Sequence, residues 1–248
     1  MNQSFTFITG ASSGMGEATA KLLSLDRNLI LNGRDEARLA AVGDACAEHG
    51  NQVLLFPYDL EKADGLAATL GAFLREEGVG VEAFAHFTGI TEVLPISKTK
   101  YSVGLQVMNI NYFSATEIIS TLLKRRVNAG RLEAIVLTSS IVATVGKKHQ
   151  AHYCASKGAI NALTVALANE LAPSVRVNAI APGSFKTRII QTLFADTSDD
   201  AEWAPPTLLL PGAVEDVARV ARFLLSEDAC YLTGQIINVD GGERFPKL

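Results

Sequence analysis

Tyr153 and Lys157 lie four residues apart, with Ser139 and Ser140 a short way upstream, in the stretch SSIVATVGKKHQAHYCASK at 139–157. If the pair lies on a helix, this spacing stacks the two side chains on one face and sets an ammonium beside a phenol. An isolated phenol has a pKa of about 10 and is a poor base at neutral pH. A neighbouring positive charge stabilises the phenolate, and lowering the pKa by about three units takes roughly 4 kcal/mol of differential interaction. With a serine hydroxyl holding a substrate oxygen against the phenol, the three groups can move a proton on or off an alcohol while a hydride moves on or off its carbon. A Tyr-x-x-x-Lys pattern alone also arises by chance on many helices, so the elements around it must decide.

Those elements alternate. SFTFIT at 4–9 is a short aromatic and β-branched run that reads as a buried strand, and Met15, Ala18, Leu22 and Leu25 then recur at helical spacing. Between them Thr9-Gly10-Ala11-Ser12-Ser13-Gly14-Met15-Gly16 makes a glycine-rich turn. Its position, directly after a strand and opening a helix, suits a pyrophosphate at the helix N-terminus. LILNG at 29–33 is a second strand, ending at Arg34, and a third, QVLLFPYDL, ends at Asp59-Leu60. An acid at the second strand end would take the ribose hydroxyl of NAD, whereas an arginine suits the 2′-phosphate of NADP, so Arg34 favours NADP. A solvated charge opening the next helix is the other reading of Arg34. Asp59 suits an adenine amino group or a helix N-cap, and both roles can coexist.

VEAFAHFTGI at 81–90 is a fourth strand running into Gly89, whose lack of a side chain permits close approach of a ligand. Apolar residues at helical intervals predict a long helix over 101–126, interrupted by Asn109 and Asn111. LEAIVLTSS is the fifth strand and delivers Ser139 and Ser140 to the sheet's C-terminal edge, where open α/β sheets bind ligands. A helix over 153–171 follows, then the strand VRVNAIAPG ending at Pro182-Gly183, an irregular stretch at 184–210 that reads as a substrate lid, an amphipathic helix and the strand QIINVDGG. The expected fold is α/β: one doubly wound, parallel, seven-stranded sheet of the Rossmann kind, in a single domain over 1–248.

Bulk properties narrow the function. With 22 basic and 26 acidic residues and no block of like charge, a nucleic-acid or anionic-membrane partner is disfavoured, and a hydrophobic fraction of 48% supports a large core. No apolar run approaches membrane-spanning length, and no leader pattern opens the chain, so a cytoplasmic protein acting on small molecules is expected. Cys46, Cys154 and Cys230 are odd in number and far apart, with no metal-ligand spacing, and read as reduced, mostly buried thiols. Cys154 lacks an evident base partner for a nucleophilic role.

The chain resembles the short-chain dehydrogenase/reductase family, with a 3-oxoacyl-reductase-like pattern, over nearly its whole length. The residues that carry the resemblance are the turn from Thr9 to Gly16, Asp59-Leu60, Asn111, Ser140, Tyr153-Cys154-Ala155-Ser156-Lys157, Pro182-Gly183 with Thr187, and Leu232 through Gly242. The resemblance implies that Tyr153 is the general acid/base, that Lys157 lowers its pKa and holds the nicotinamide ribose, that Ser140 orients the substrate oxygen, and that Asn111 anchors a water linking Lys157 to solvent. It implies cofactor contacts from Gly10, Ser12, Ser13, Gly14, Met15, Gly16, Leu60, Gly89, Pro182, Gly183, Phe185 and Thr187. It further implies a homotetramer built on the helices over 101–126 and 153–171. The expected activity is NAD(P)-dependent interconversion of a secondary alcohol and a ketone. A nucleotide sensor that has given up catalysis, or an epimerase or dehydratase on the same fold, would share the nucleotide motifs.

Two departures stand out. Where the family shows Asn-Asn-Ala-Gly, this chain has His86-Phe87-Thr88-Gly89, and Ser13 stands where NADP-preferring members often carry a basic residue. The basic cluster Lys147, Lys148, His149 and His152 suits either a solvated turn or attraction of an anionic substrate.

Overall fold

The computed structural model describes residues 4–185 and 207–243. Seven parallel strands form one sheet in the order β3-β2-β1-β4-β5-β6-β7. They are β1 Ser4–Thr9, β2 Asn28–Gly33, β3 Val53–Pro57, β4 Gly80–His86, β5 Ala134–Thr138, β6 Arg176–Pro182 and β7 Ile236–Val239. β1 and β4 stay paired to their last residues, Thr9 and His86; because the strand order reverses there, the chain leaves the two strand ends in opposite directions, and a crevice opens beyond them. The helices that set the site are α1 Gly14–Leu23, α2 Glu36–Ala47, α3 Leu66–Glu76, α4 Tyr101–Met108, α5 Ser114–Leu123, α6 Arg125–Asn128, α7 Val142–Val145, α8 Ala151–Leu171 and α9 Val214–Leu225.

Alternation along the strands divides the core between the two faces of the sheet. Phe5, Phe7, Ile30, Phe84, Ile135 and Leu137 are buried with residues of α3, α5 and α8, whereas Ile8, Leu29, Leu31 and Val136 are buried with residues of α1, α2 and α9. Side chains of period two, apolar toward both faces, are what a parallel sheet covered on both sides requires. Phe7 anchors the first face, meeting Phe56 edge-on at 6.0 Å between ring centroids and Phe84 at 5.7 Å.

Several expected boundaries move. The helix read over 101–126 is three pieces, because a five-residue π-helical segment, Asn109–Phe113, separates α4 from α5, and Lys124 turns extended before α6. β3 stops at Pro57 and β4 at His86, so Asp59, Leu60 and Gly89 lie on the loops beyond the strand ends. Asp59 does not cap α3, which starts after Gly65; its carboxylate accepts instead from the N–H of Glu61 at 3.1 Å and shapes a turn. Of the cysteines Cys46 is buried, Cys154 is partly buried and Cys230 is exposed, which corrects the expectation of mostly buried thiols. Of the stretch read as a lid, residues 186–206 lie outside the described residues.

The turn joining β1 to α1 is held at van der Waals limits. Gly10 and Gly14 take φ of 66° and 58°, in the left-handed region that favours glycine, and Ala11 donates its N–H to the Asn32 carbonyl at 2.9 Å. A Cβ on Gly16 would run into the carbonyl of Gly10. Gly16→Ala is therefore expected to cost about 2 kcal/mol and lower the melting temperature by about 5 °C, read by circular dichroism.

Candidate active site

A cavity of about 560 Å³ opens along the C-terminal edge of the sheet. Its walls include Gly10, Ser12, Ser13, Gly14, Met15 and Gly16 from the first turn, Arg34, Asp59 and Leu60 from the loops after β2 and β3, and Gly89 after β4. Ser140, Tyr153, Lys157, Pro182 and Gly183 close the other end. One concave surface therefore gathers residues 173 positions apart in sequence, counting from Gly10 to Gly183.

At the first end, α1 begins at Gly14 with Ser13 extended before it and no side-chain cap, so the amides of its opening turn face outward without a side-chain acceptor. Arg34 is exposed and joins none of the ion pairs among the described residues. Asp35 is absent from the cavity wall, because it caps α2. It accepts from the N–H of Arg38 at 3.1 Å and from the Arg38 side chain at 2.7 and 2.6 Å, bonds that hold its carboxyl below the usual range. The nearest acid to the β2 strand end is thus neutralised by a neighbour.

At the second end, the Lys157 ammonium is almost fully buried and donates to the Thr138 carbonyl at 2.7 Å. It sits 5.8 Å from the centre of the Tyr153 ring. Burial lowers its pKa to about 8. The Tyr153 pKa is raised, first by burial, with further increments from Cys154 and Glu92 and an offset from a hydrogen bond with Ser140. In the protein by itself, desolvation of the phenolate sets the direction of the shift. Ser140 is buried and accepts at long range from the Val142 N–H, 3.4 Å, whereas Ser139 is turned away toward Asn161, 2.6 Å.

Asn111 lies at the centre of the π-helical segment and is fully buried. Its side chain bonds both the N–H and the carbonyl of Ile90, at 2.8 and 2.9 Å, and the Ser156 hydroxyl at 2.9 Å. It ties the loop after β4 to α8, beside Lys157. His86 answers for the first missing asparagine: its Nδ1 bonds the Thr9 hydroxyl at 2.9 Å, joining β1 to β4 where the two residues pair in register. Desolvation, and the Lys157 charge after it, lower the His86 pKa to about 3, so the ring is neutral.

Other residues fall elsewhere. Phe185 is buried in the core with residues of α9 and does not line the cavity, and Thr187 lies outside the described residues. Lys147, Lys148 and His149 sit on an exposed turn off the cavity wall, and His152 packs its ring against Gly104. Sequence reasoning missed Thr88 and Thr138, whose buried hydroxyls have no partner and whose residues line the cavity, and Glu92, whose buried carboxylate meets the start of α8. Only the departure at Thr88 was visible beforehand; nothing in local pattern marks the other two.

A family model described as enoyl-(acyl carrier protein) reductase matches residues 10–243. The chain belongs to the short-chain dehydrogenase/reductase family. Nodulation protein G of Rhizobium sp. is 32% identical over 240 residues, covering 95% of this chain and 94% of that one. The 3-oxoacyl-[acyl-carrier-protein] reductase FabG of Chlamydia trachomatis is 32% identical over 241 residues, covering 95% of each. The crystal structure of a putative gluconate dehydrogenase from Agrobacterium tumefaciens superimposes with a TM-score of 0.89 at 28% identity, over 99% of this chain and 98% of that one. As a member of this family the chain is an enzyme of the dehydrogenase/reductase kind. Among the described residues no helix is long and apolar enough to cross a membrane, and no group of three or more His, Cys, Asp or Glu can hold a metal ion.

The buried neutral His86 makes folding sensitive to acid. Its pKa is lowered on folding, so the unfolded chain binds the extra proton between about pH 6.5 and 3, and stability falls as pH drops through that window. His86→Asn, which keeps a polar partner for Thr9, is expected to remove about 1.4 kcal/mol per pH unit from that slope in urea titrations between roughly pH 4.5 and 6.

Proposed function

We propose that the chain is an NADP-preferring oxidoreductase that interconverts a secondary alcohol and a ketone on a small molecule, with Tyr153 as general acid/base. The observation that carries this reading is the convergence of Tyr153, Lys157 and Ser140 on the wall of the same cavity as the glycine turn. The residues present fit a dinucleotide. Gly10, Gly14 and Gly16 line the cavity, the first turn of α1 offers uncapped amides to a pyrophosphate, and the Thr88 and Thr138 hydroxyls lack partners. A nicotinamide held there would supply or accept the hydride.

Ser140 and Tyr153 would hold the substrate oxygen between them, and in the reductive direction the phenol gives its proton to that oxygen. Lys157 keeps a positive charge beside the phenol as it becomes phenolate, the state that burial alone disfavours. Asn111 acts through position. Both of its amide donor bonds go to Ile90 and Ser156, so its side chain has no N–H left for a water on a path from Lys157 to solvent.

Preference for NADP rests on Arg34, exposed at the cavity beside Ser12 and Gly33, and on the engagement of Asp35 with Arg38. The relatives' names span a 3-oxoacyl reductase and a putative gluconate dehydrogenase, which supports a small carbonyl or hydroxyl compound as substrate. Leu105, Phe113 and Val165 expose apolar surface on and beside α4, α5 and α8, which supports a homo-oligomer, tetramer or dimer, formed there; a cytoplasmic setting is part of the same proposal.

Tyr153→Phe is expected to bind NADPH as the wild type does and to lose about a thousandfold or more in turnover across a panel of acetoacetyl-CoA, glucose and gluconate; retained turnover on any active member would remove the mechanism. Arg34→Ala is expected to weaken NADPH about tenfold in fluorescence titration and leave NADH unchanged. Tighter binding of NADH than NADPH by the wild type would overturn the cofactor preference.

A further inference from the structure

Helix α8 carries both Tyr153 and Lys157, yet its own sequence does not cap it. Gln150 stands at the N-cap position with no side-chain bond to the first turn, which leaves the opening amides without a local acceptor. The acceptor arrives from the loop after β4. Glu92 takes the N–H of His152 at 2.6 Å on one carboxylate oxygen and the N–H of Tyr153 at 3.2 and 3.1 Å on the two oxygens. Only 7% of Glu92 is exposed, and a carboxylate so placed is tolerable because it meets amide donors and the positive end of a 21-residue helix.

The same loop is fixed on its other side. Asn111 bonds both main-chain groups of Ile90, and the N–H of Leu94 bonds the carbonyl of His149 at 2.8 Å. Residues 90–94 are therefore pinned between the π-helical segment and the start of α8, with Glu92 in the middle.

We propose that Glu92 is the positioning residue for Tyr153: its carboxylate fixes the first turn of α8 so that the phenol stays in the cavity, and its charge opposes ionisation of that phenol. The proposal rests on the acid/base reading of Tyr153 and goes beyond it, since it assigns the enzyme's bias. Among the described residues, the groups facing the phenol are Lys157 and Cys154 from its own helix, Ser140 from the loop after β5, and Glu92 from the loop after β4; His86 faces Lys157 from β4, and the His152 ring packs against Gly104. Lys157 and Ser140 favour the phenolate, whereas Glu92 acts against it. A phenol kept protonated is a ready acid, the form that carbonyl reduction uses first.

The test uses the ligand-free chain, so it reads the phenol whether or not turnover is ever found. Carbon NMR of ring-labelled tyrosine, with Tyr153→Phe identifying the signal, gives the phenolate-to-phenol ratio of Tyr153 at about pH 9.5. Glu92→Gln keeps an oxygen for the His152 and Tyr153 amides while removing the charge. It is expected to raise that ratio about tenfold, a shift of about one pH unit, and to melt within about 3 °C of the wild type. Glu92→Ala removes the acceptor as well and is expected to melt several degrees lower, a loss that Gln restores. An unchanged ratio in Glu92→Gln would overturn the charge role, and an unchanged melting temperature in Glu92→Ala would overturn the clamp.

Discussion

The ammonium of Lys157, buried beneath the sheet edge and bonded to the Thr138 carbonyl at 2.7 Å, is the constraint to which the rest of the site answers. A charge in that position is costly unless its surroundings are polar and neutral or negative. The neighbouring imidazole of His86 stays neutral, first because it is itself buried and then because of the Lys157 charge, and its Nδ1 is occupied by Thr9. The carbonyl that receives the ammonium is the last of β5, a strand buried along its whole length. Placement of one lysine thus requires strand ends from β1, β4 and β5 to finish at the same level.

Much of this architecture was legible because the signals are local. Buried parallel strands are short apolar runs, and Phe5, Phe7 and Ile8 show the two-sided burial that such runs imply. The glycine turn was readable because left-handed backbone at Gly10 and Gly14 leaves a trace in residue type. Tyr153 and Lys157 were readable because one helical turn separates them.

What escaped reading depends on partners far away in sequence. The π-helical segment keeps the apolar spacing of an ordinary helix, and the bonds Asn111 makes from it, to Ile90 and Ser156, span 21 and 45 positions. Glu92 is one charge in an irregular loop, and its partners lie 60 and 61 positions on. His86 looked like a loss of the family's asparagine until the register of β1 against β4 set it opposite Thr9. The upward direction of the Tyr153 shift was out of reach for the same reason. Proximity of a lysine is visible in a spacing of four, whereas the depth of burial that opposes it is a property of the whole fold.

The two shifts at the catalytic end belong together. Lys157 is pushed down and Tyr153 up, and each displacement taken singly favours the uncharged side chain. Taken as a pair, the groups hold one positive charge when both are protonated and none in net terms once a proton has left. That proton leaves from a coupled unit, and either residue can be the one formally deprotonated. Removing it from the phenol sets phenolate against ammonium, an attraction that low dielectric strengthens; removing it from the lysine leaves two neutral groups, which relieves the buried charge but weakens the bond to Thr138 from a charge-assisted to a neutral one. Burial thus makes the charged phenol costly in isolation while making its pairing with Lys157 worth most, and a substrate oxygen that draws the proton from Tyr153 works with that pairing.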